Sequence, residues 1–328
     1  MKLLKLLGAA AICLSSLGTV SAQAADADTW PSRTIRILVP FGPGSTPDTM
    51  ARMTADYIGP KLGVPVVVEN KAGAGGNIGT AAMAKAAPDG YTFGITISGP
   101  LAANTVLFPK LPYQPAKDLD FLTIAATQPS VLVVAPSLDA QGVDDLLKAL
   151  RARPGDYNYG SMGVGSISHL AMAALAATSG TDIVHVPYST SAQVVTSILS
   201  GETQMGILPA AAVMEQVASG KLRALAVATA KRSAILPKLP TLAESGVQGI
   251  EADAWMGFVA PHGTPKAAED RFTQEVVQML KDPAVVKQLA KLHEEPVAST
   301  PAEMQAVVQG DLERWTPVIK ANNIRFDN

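Results

Sequence analysis

Residues 34–57 read TIRILVPFGPGSTPDTMARMTADY, and this stretch sets the pattern for the whole chain. The β-branched and aliphatic run at 34–41 predicts a strand, which ends in the Gly-Pro-Gly-Ser loop at 42–45. Thr46 is predicted as the N-cap of a helix with Pro47 at its first helical position, because capping hydroxyls and N-terminal prolines start helices. This order of strand, loop and helix indicates an α/β fold.

The alternation of strands and helices continues along nearly all of the chain. A second unit has a strand at 64–70, a glycine-rich turn at 73–76 and a helix at 77–87, and it leads into a strand at 91–98. A separate set follows, with strands predicted at 131–135, 157–161, 183–187, 203–208 and 222–228 and helices at 143–151, from 166, at 192–199 and at 211–218. Such alternation is typical of α/β lobes with largely parallel sheets.

The C-terminal part combines a strand at 255–260 with three helices. Each helix is predicted to start at a capping residue followed by proline: Thr264-Pro265, Asp282-Pro283 and Thr300-Pro301, the last with Glu303 completing a capping box. Pro317 is expected to kink or end the final helix. Since these helices have no full sheet of their own, we expect them to pack on the N-terminal lobe.

The predicted domain organisation follows from this order. Residues 1–24 are a signal peptide, residues 25–127 plus 251–328 form lobe 1, and residues 128–250 form lobe 2. The chain is expected to leave the first lobe near Gln128 and to return near Glu251. Two domains are also what a chain of this length favours.

The N-terminus has the order of a secretory signal peptide. Lys2 and Lys5 precede an apolar run at 6–14, and small residues follow up to Ala24. The run is shorter than the roughly 20 apolar residues that a membrane-spanning helix needs. We therefore expect cleavage near Ala24 and a soluble protein in the periplasm. Lipidation of Cys13 is the weaker alternative, because the residue before it is not small.

The composition excludes several classes of function. Cys13 is the single cysteine, so cleavage near Ala24 leaves neither a disulfide nor a thiol nucleophile. The cleaved chain keeps 24 basic and 28 acidic residues, a net charge of −4. This balance indicates no nucleic-acid surface.

Three glycine-containing loops are candidates for an anion site. The loops at 42–46, 73–77 and 160–168 each follow a predicted strand and open a helix, whose unpaired N–H groups and partial positive charge bind anions. Serine and threonine hydroxyls in these loops add donors. The same composition is also typical of ordinary turns and helix caps. Asp48 has three possible roles: binding a ligand, capping the helix or complementing its dipole.

Sequence motifs for catalysis are not found. The turn at 73–78 has isoleucine where a dinucleotide fingerprint needs its third glycine, no P-loop lysine follows any glycine-rich turn, and no Gly-x-Ser-x-Gly elbow occurs. The four histidines lack metal-ligand spacing, and both His169 and His185 are typical of packing residues. We therefore expect a binding protein that is not an enzyme and has no cofactor or metal.

Several motifs together are similar to those of one known family. They are VPFGPG at 39–44 with Asp48, VENKAGAGGNIG at 68–79, PDGYT at 88–92, NYGS at 158–161, HVPY at 185–188 and WMGFVAPHGTP at 255–265. In this combination the chain resembles the Bug family, the solute receptors of tripartite tricarboxylate transporters. The resemblance covers essentially the whole chain after residue 24.

The resemblance implies a two-lobed periplasmic binding protein of the type II-like class. Its two sheets would be mixed and mainly parallel, with helices on both faces and a ligand cleft between the lobes. The ligand would be a small carboxylate, either a di- or tricarboxylate or an aromatic carboxylate. The expected partners are the integral membrane subunits of a tripartite tricarboxylate transporter, and the receptor itself is expected to be a monomer.

The resemblance also places the binding positions. On lobe 1 they are Phe41, Gly42, Pro43, Gly44, Ser45, Thr46 and Asp48, and on lobe 2 they are Ser161, Gly163, Gly165, Ser166 and His169. Further expected ligand contacts are Gly75, Gly76, Ser98, Pro187 and Tyr188.

Two other functions stay open at this point. The same fold serves a periplasmic sensor that reports its ligand to a signalling kinase. A secreted hydrolase or isomerase on a similar scaffold is the weaker alternative.

Overall fold

The structure, a computed structural model, describes residues 30–326. The predicted signal peptide, with its cleavage near Ala24, lies outside the described residues. The described strands form two mixed sheets, and helices alternate with them as in a two-lobed α/β protein. The strands are β1 Ile35–Val39, β2 Val66–Asn70, β3 Thr92–Ile97, β4 Leu119–Gln128, β5 Ser130–Val134, β6 Asn158–Ser161, β7 Val184–Pro187, β8 Met205–Pro209, β9 Arg223–Val227, β10 Ala254–Pro261 and β11 Glu295–Pro296.

The sheets confirm the predicted class and correct one detail of it. The first sheet has the order β11-β4-β10-β3-β1-β2 and the second β7-β6-β8-β5-β9. Pairing is parallel in β1·β2, β1·β3, β6·β7 and β6·β8. It is antiparallel in β3·β10, β4·β10, β4·β11, β5·β8 and β5·β9. The prediction of mainly parallel sheets was therefore wrong. The strands next to the two crossings between the sheets, β4, β5 and β10, pair antiparallel with the strands beside them.

Helices fill the connections between these strands. They are α1 Thr46–Leu62, α2 Asn77–Ala84, α3 Ser98–Leu101, α4 Asn104–Leu107, α5 Pro115–Asp118, α6 Val143–Ala152, α7 Ile167–Ser179, α8 Ser191–Ser200, α9 Ala210–Ala218, α10 Lys266–Lys281, α11 Pro283–Lys291 and α12 Pro301–Ala321. No helix in this described part of the chain is both long and apolar enough to cross a membrane.

The helix starts follow the capping signals with two corrections. Asp282 caps α11, and Thr300 with Glu303 forms the expected capping box of α12. The N-cap of α1 is Ser45, because Thr46 already has helical geometry. Helix α10 starts after Pro265, and the Thr264 hydroxyl donates instead to the carbonyl of Pro261.

The long strand β4 was missing from the sequence interpretation. It reads LDFLTIAATQ and pairs antiparallel with β10 over its length, so it occupies the interior of the first sheet. The residues before it, in α3 to α5, form three four-residue helices that carry no helical periodicity. Because these short helices precede β4, the strand is not part of a strand–loop–helix unit, the pattern by which the other strands were predicted.

The chain passes between the sheets at two places. Pro129 alone separates β4 of the first sheet from β5 of the second. The return runs from β9, which ends at Val227, to β10, which begins at Ala254. These passages lie close to the predicted crossings at Gln128 and Glu251. The domain boundaries themselves remain a prediction.

Helix α12 takes part in the hydrophobic cores of both sheets. Met304 and Val308 lie in a cluster with Trp255 and other residues of the first sheet. Trp315 and Ile319 lie in a cluster that includes residues of β5, β8 and α7. The C-terminal helices were expected to pack on the N-terminal lobe, and the second half of α12 packs on the other core instead. Pro317 lies inside this helix and does not end it.

Candidate ligand-binding site

The loop after β1 is held in place by its own backbone and by Asn70. The Ser45 N–H donates to the carbonyl of Gly42 at 3.2 Å, and the Asn70 side chain donates to the carbonyl of Phe41 at 2.9 Å. The Ser45 hydroxyl is buried and has no hydrogen-bond partner among the described residues. This geometry fixes Phe41 at the end of the sheet, where ligands of open α/β sheets bind.

The Asp48 side chain holds the conformation of the loop after β1. Its carboxylate is buried and accepts from the Gly44 N–H at 2.8 Å, from the Asn70 amide at 2.8 Å and from the Arg52 guanidinium at 2.9–3.0 Å. The hydrogen bond from Arg52 is the largest cause that lowers the pKa of Asp48 to about 2. Both carboxylate oxygens are therefore used within the protein, and the geometry favours a positioning role for Asp48.

The glycine-rich turn at 73–76 packs directly on this loop. A Cβ atom at Gly76, whose φ is +94°, would lie 2.9 Å from the Phe41 ring, so only glycine allows the contact. Asn77 follows the turn and accepts at its side-chain oxygen from Asn104 at 2.7 Å and from the Tyr113 hydroxyl at 3.0 Å. These bonds tie the turn to α4 and to the chain that follows it.

The loop after β6 satisfies its own polar groups. The Met162 N–H donates to the Ser168 hydroxyl at 2.9 Å, and the Ser166 hydroxyl donates to the carbonyl of Gly163 at 2.7 Å. Ser166 is the N-cap of α7 and accepts from the His169 N–H. Ser161 is fully buried, and its hydroxyl lies 2.6 Å from His185 Nε2. Hydrogen bonds within the protein thus hold the conformation of this loop.

His169 and His185 stack on each other next to the loop after β6. Their ring centroids are 3.8 Å apart, and Tyr159 lies 5.0 Å from the His185 ring. His169 Nδ1 accepts from the Gly165 N–H at 3.0 Å, which requires the neutral ring. Burial, with a smaller effect of His185, lowers the pKa of His169 to about 4. Burial also lowers the pKa of His185. These contacts agree with the packing interpretation of both histidines.

One cavity of about 350 Å³ lies between the two loops, and we call it the inter-sheet cavity. Its lining residues are Phe41, Gly75, Ile97, Ser98, Gly99, Ala102, Ala103, Asn104, Phe108, Met162, Val164, Gly165, Ser166, Ile167, Leu170, Ala254, Asp311, Trp315 and Phe326. Elements of the first sheet, the loop after β6 and the C-terminal helix therefore meet around one volume.

Five of the positions expected from sequence line this cavity. They are Phe41, Gly75, Ser98, Gly165 and Ser166. The other twelve do not line it: Gly42, Pro43, Gly44, Ser45, Thr46, Asp48, Gly76, Ser161, Gly163, His169, Pro187 and Tyr188. Pro43, Gly44 and Asp48 instead border a groove beside α11, and His169 borders a depression beside the C-terminus. Ligand contact remains a prediction for all seventeen.

Most of the apolar cavity wall was not found from the sequence. Phe108, Trp315 and Phe326 lie in the wall, and Phe326 stacks on Phe108 with ring centroids 4.5 Å apart. In the sequence, Trp315 follows Val308 and Leu312 at helical spacing, a pattern that indicates only a core position. Phe108 and Phe326 are 218 positions apart in the chain and carried no local signal. Phe326 lies next to Phe108 because α12 packs on the core of the second sheet.

Comparison with known proteins supplies the family. The model described as tripartite tricarboxylate transporter family receptor matches residues 50–324. Protein BugT of Bordetella pertussis is 36% identical over 327 residues, which are 99% of this chain and 100% of BugT.

Two solved structures from Rhodopseudomonas palustris have a similar fold. An R. palustris protein with adipate is 34% identical, with a TM-score of 0.78, and the match covers 90% of this chain and 99% of that one. MatC with bound malate is 28% identical, with a TM-score of 0.73 and coverage of 88% and 99%. With the family model and the full-length match to BugT, these likenesses show that this chain belongs to the receptors of the tripartite tricarboxylate transporter family, which include the Bug proteins.

Proposed function

We propose that this protein binds one small carboxylate in the inter-sheet cavity and delivers it to the membrane subunits of a tripartite tricarboxylate transporter. The observation that carries the proposal is the cavity itself. It is bounded by the loop after β1 and the loop after β6, the two places where a family receptor is expected to hold its ligand. Its volume is in the range of small-molecule sites.

The carboxylate is held by neutral donors in this proposal. Among the described residues that line the cavity there is no lysine, arginine or histidine. Ser98 supplies a hydroxyl, and the start of α7, which Ser166 caps, supplies unpaired N–H groups with a favourable dipole. Arg52 has no part in this role, because it borders the groove beside α11 and not the cavity, and its guanidinium pairs with Asp48.

Ligand binding is coupled to lobe closure in the same proposal. Lobe 1 comprises residues 25–127 and 251–328, and lobe 2 comprises residues 128–250. Two crossings of the chain act as the hinge, and a ligand that contacts both lobes shifts the population toward the closed form. The short crossing at Pro129 supports this arrangement.

The receptor acts in the periplasm after removal of residues 1–24. Support comes from the order of charged, apolar and small residues at the N-terminus. The names of two relatives support the ligand class, since one was solved with adipate and MatC with malate.

Calorimetric titration with a panel of mono-, di- and tricarboxylates tests this function. We expect saturable binding of at least one carboxylate with one site per chain, and recovery of the carboxylate unchanged after incubation. Turnover of a panel member would instead favour the hydrolase or isomerase alternative. Binding without uptake in cells that carry the transporter subunits would favour a sensor.

A further inference from the structure

We propose that the inter-sheet cavity selects a monocarboxylate with an apolar body over di- and tricarboxylates, and that Asp311 excludes a second carboxylate group. This inference rests on the proposed function, because it names the class of carboxylate that the same cavity accepts. It differs from what the adipate- and malate-bound relatives would suggest, since both of those ligands are dicarboxylates.

The walls of the cavity are mainly apolar. Aromatic rings come from Phe41, Phe108, Trp315 and Phe326, and aliphatic or thioether side chains come from Ile97, Met162, Val164, Ile167 and Leu170. A polar ligand oxygen placed against such walls loses its water without gaining a hydrogen bond, which is unfavourable. A chain of several CH₂ groups or an aromatic ring gains from the same contact.

The polar side chains in the wall suffice for one carboxylate. They are those of Ser98, Asn104, Ser166 and Asp311. Asn104 already donates to Asn77, and Ser166 already donates to the carbonyl of Gly163. The Ser98 hydroxyl has no hydrogen-bond partner in the described part of the chain and can donate to a ligand. A ligand with two or three carboxylates would bury more oxygens than these groups can satisfy.

Asp311 makes a second carboxylate unfavourable by charge. It is buried, and its oxygens accept from the Trp255 indole N–H at 2.8 Å and from Arg314 at 2.9 Å. Burial raises the pKa of Asp311, and the bonds from Trp255 and Arg314 oppose that shift by favouring the ionised carboxylate. Arg314 also pairs with Glu251, so its single positive charge is shared between two acids. The local charge therefore remains negative and repels a second anionic group in the cavity.

Hexanoate and adipate are the decisive pair of probes, because they have the same six-carbon chain and differ by one carboxylate. We expect calorimetric titration of the processed protein to show hexanoate binding at least about tenfold tighter than adipate, malate or citrate. Benzoate should bind in preference to terephthalate for the same reason.

Equal or tighter binding of adipate, malate or citrate would overturn this inference and leave the proposed function standing. If none of the carboxylates binds, both the proposed function and this inference fail. The two failures are thus distinguishable in one experiment.

Substitution of Asp311 tests whether this residue sets the preference for monocarboxylates. Asp311→Asn should raise adipate affinity relative to hexanoate by about tenfold or more. The matched control is Glu313→Gln, because Glu313 is an exposed acid on the same helix that bonds to Gln309 and does not line the cavity, and it should leave the ratio unchanged. An unchanged ratio in folded Asp311→Asn would contradict the role of Asp311.

A second variant keeps the test valid if Asp311→Asn does not fold. Phe326 is only partly buried and packs against the second core without being one of its buried members, so its replacement disturbs the core less than a change inside it. Phe326→Lys introduces a positive charge at the cavity wall and should shift the preference toward adipate. Hexanoate remaining preferred by the same ratio in Phe326→Lys would contradict the claim that charge in this cavity sets the selection.

Discussion

Asp48→Asn tests whether the loop after β1 depends on one buried carboxylate. The substitution keeps the shape of the side chain but removes the charge that Arg52, Asn70 and the Gly44 N–H all bind. An amide nitrogen would face at least one of these donors and leave it unsatisfied. We expect a less stable protein whose first loop no longer holds Phe41 in the cavity wall.

The magnitude follows from the pKa of Asp48. A pKa lowered from 3.8 to about 2 corresponds to about 2.5 kcal/mol of preference for the ionised form. The Arg52 side chain is 51% exposed, so solvent screening reduces this value. We expect a loss of about 1–2 kcal/mol in the free energy of unfolding at pH 7.

The pH dependence has a defined sign. Because the pKa of Asp48 is lower in the folded state, its contribution is fully present above pH 3.8 and is lost as the pH falls through about 2. The difference between wild type and Asp48→Asn should therefore be constant from pH 7 to about 5 and should shrink toward pH 3. Urea unfolding at a series of pH values measures it.

Asp56→Asn is the matched control, since Asp56 is an exposed acid on the same helix α1. It should change the free energy of unfolding by less than about 0.5 kcal/mol. If Asp48→Asn were no more destabilising than Asp56→Asn at pH 7, the assignment of Asp48 as the organiser of this loop would be refuted.

Three further substitutions test other parts of the account. Ser98→Ala should weaken binding of a carboxylate about tenfold, because a hydrogen bond to a charged partner contributes about 1.5–3 kcal/mol, and calorimetric titration with hexanoate measures it; unchanged affinity would contradict the donor role. His169→Asn should reduce the loss of stability between pH 6.5 and about 4, because in that interval the unfolded-state imidazole gains a proton while the folded ring, whose pKa burial lowers to about 4, stays neutral and accepts from Gly165; NMR titration of the imidazole gives the pKa directly. Thr300→Ala should cost about 1 kcal/mol in thermal unfolding without changing ligand affinity, because it removes the capping box of α12 and nothing in the cavity.

The fold was largely predictable because its units carry local signals. The residues that start α11 and α12 are hydroxyl or carboxylate caps followed by proline, and such caps act within one turn of the chain. Strand β4 lacked such a signal, since its position is set by antiparallel pairing with β10 more than 120 residues later. Pairing between distant segments cannot be read from local periodicity.

The site was predictable only in the part built from single loops. Phe41 and Ser166 belong to strand–loop–helix units, where glycine and capping residues mark the end of a strand. Asp311 and Phe326 reach the cavity because α12 packs on the cores of both sheets. That placement depends on the sum of many apolar contacts, and no motif in the sequence records it.

The most direct test of the central claim is a crystal structure of the processed protein with the carboxylate that binds most tightly in the titration panel. We predict one molecule in the inter-sheet cavity, with its carboxylate near the Ser98 hydroxyl and the N-terminus of α7, and with its apolar body against Trp315. A carboxylate bound outside this cavity, or one held by Arg52 beside α1, would contradict the account.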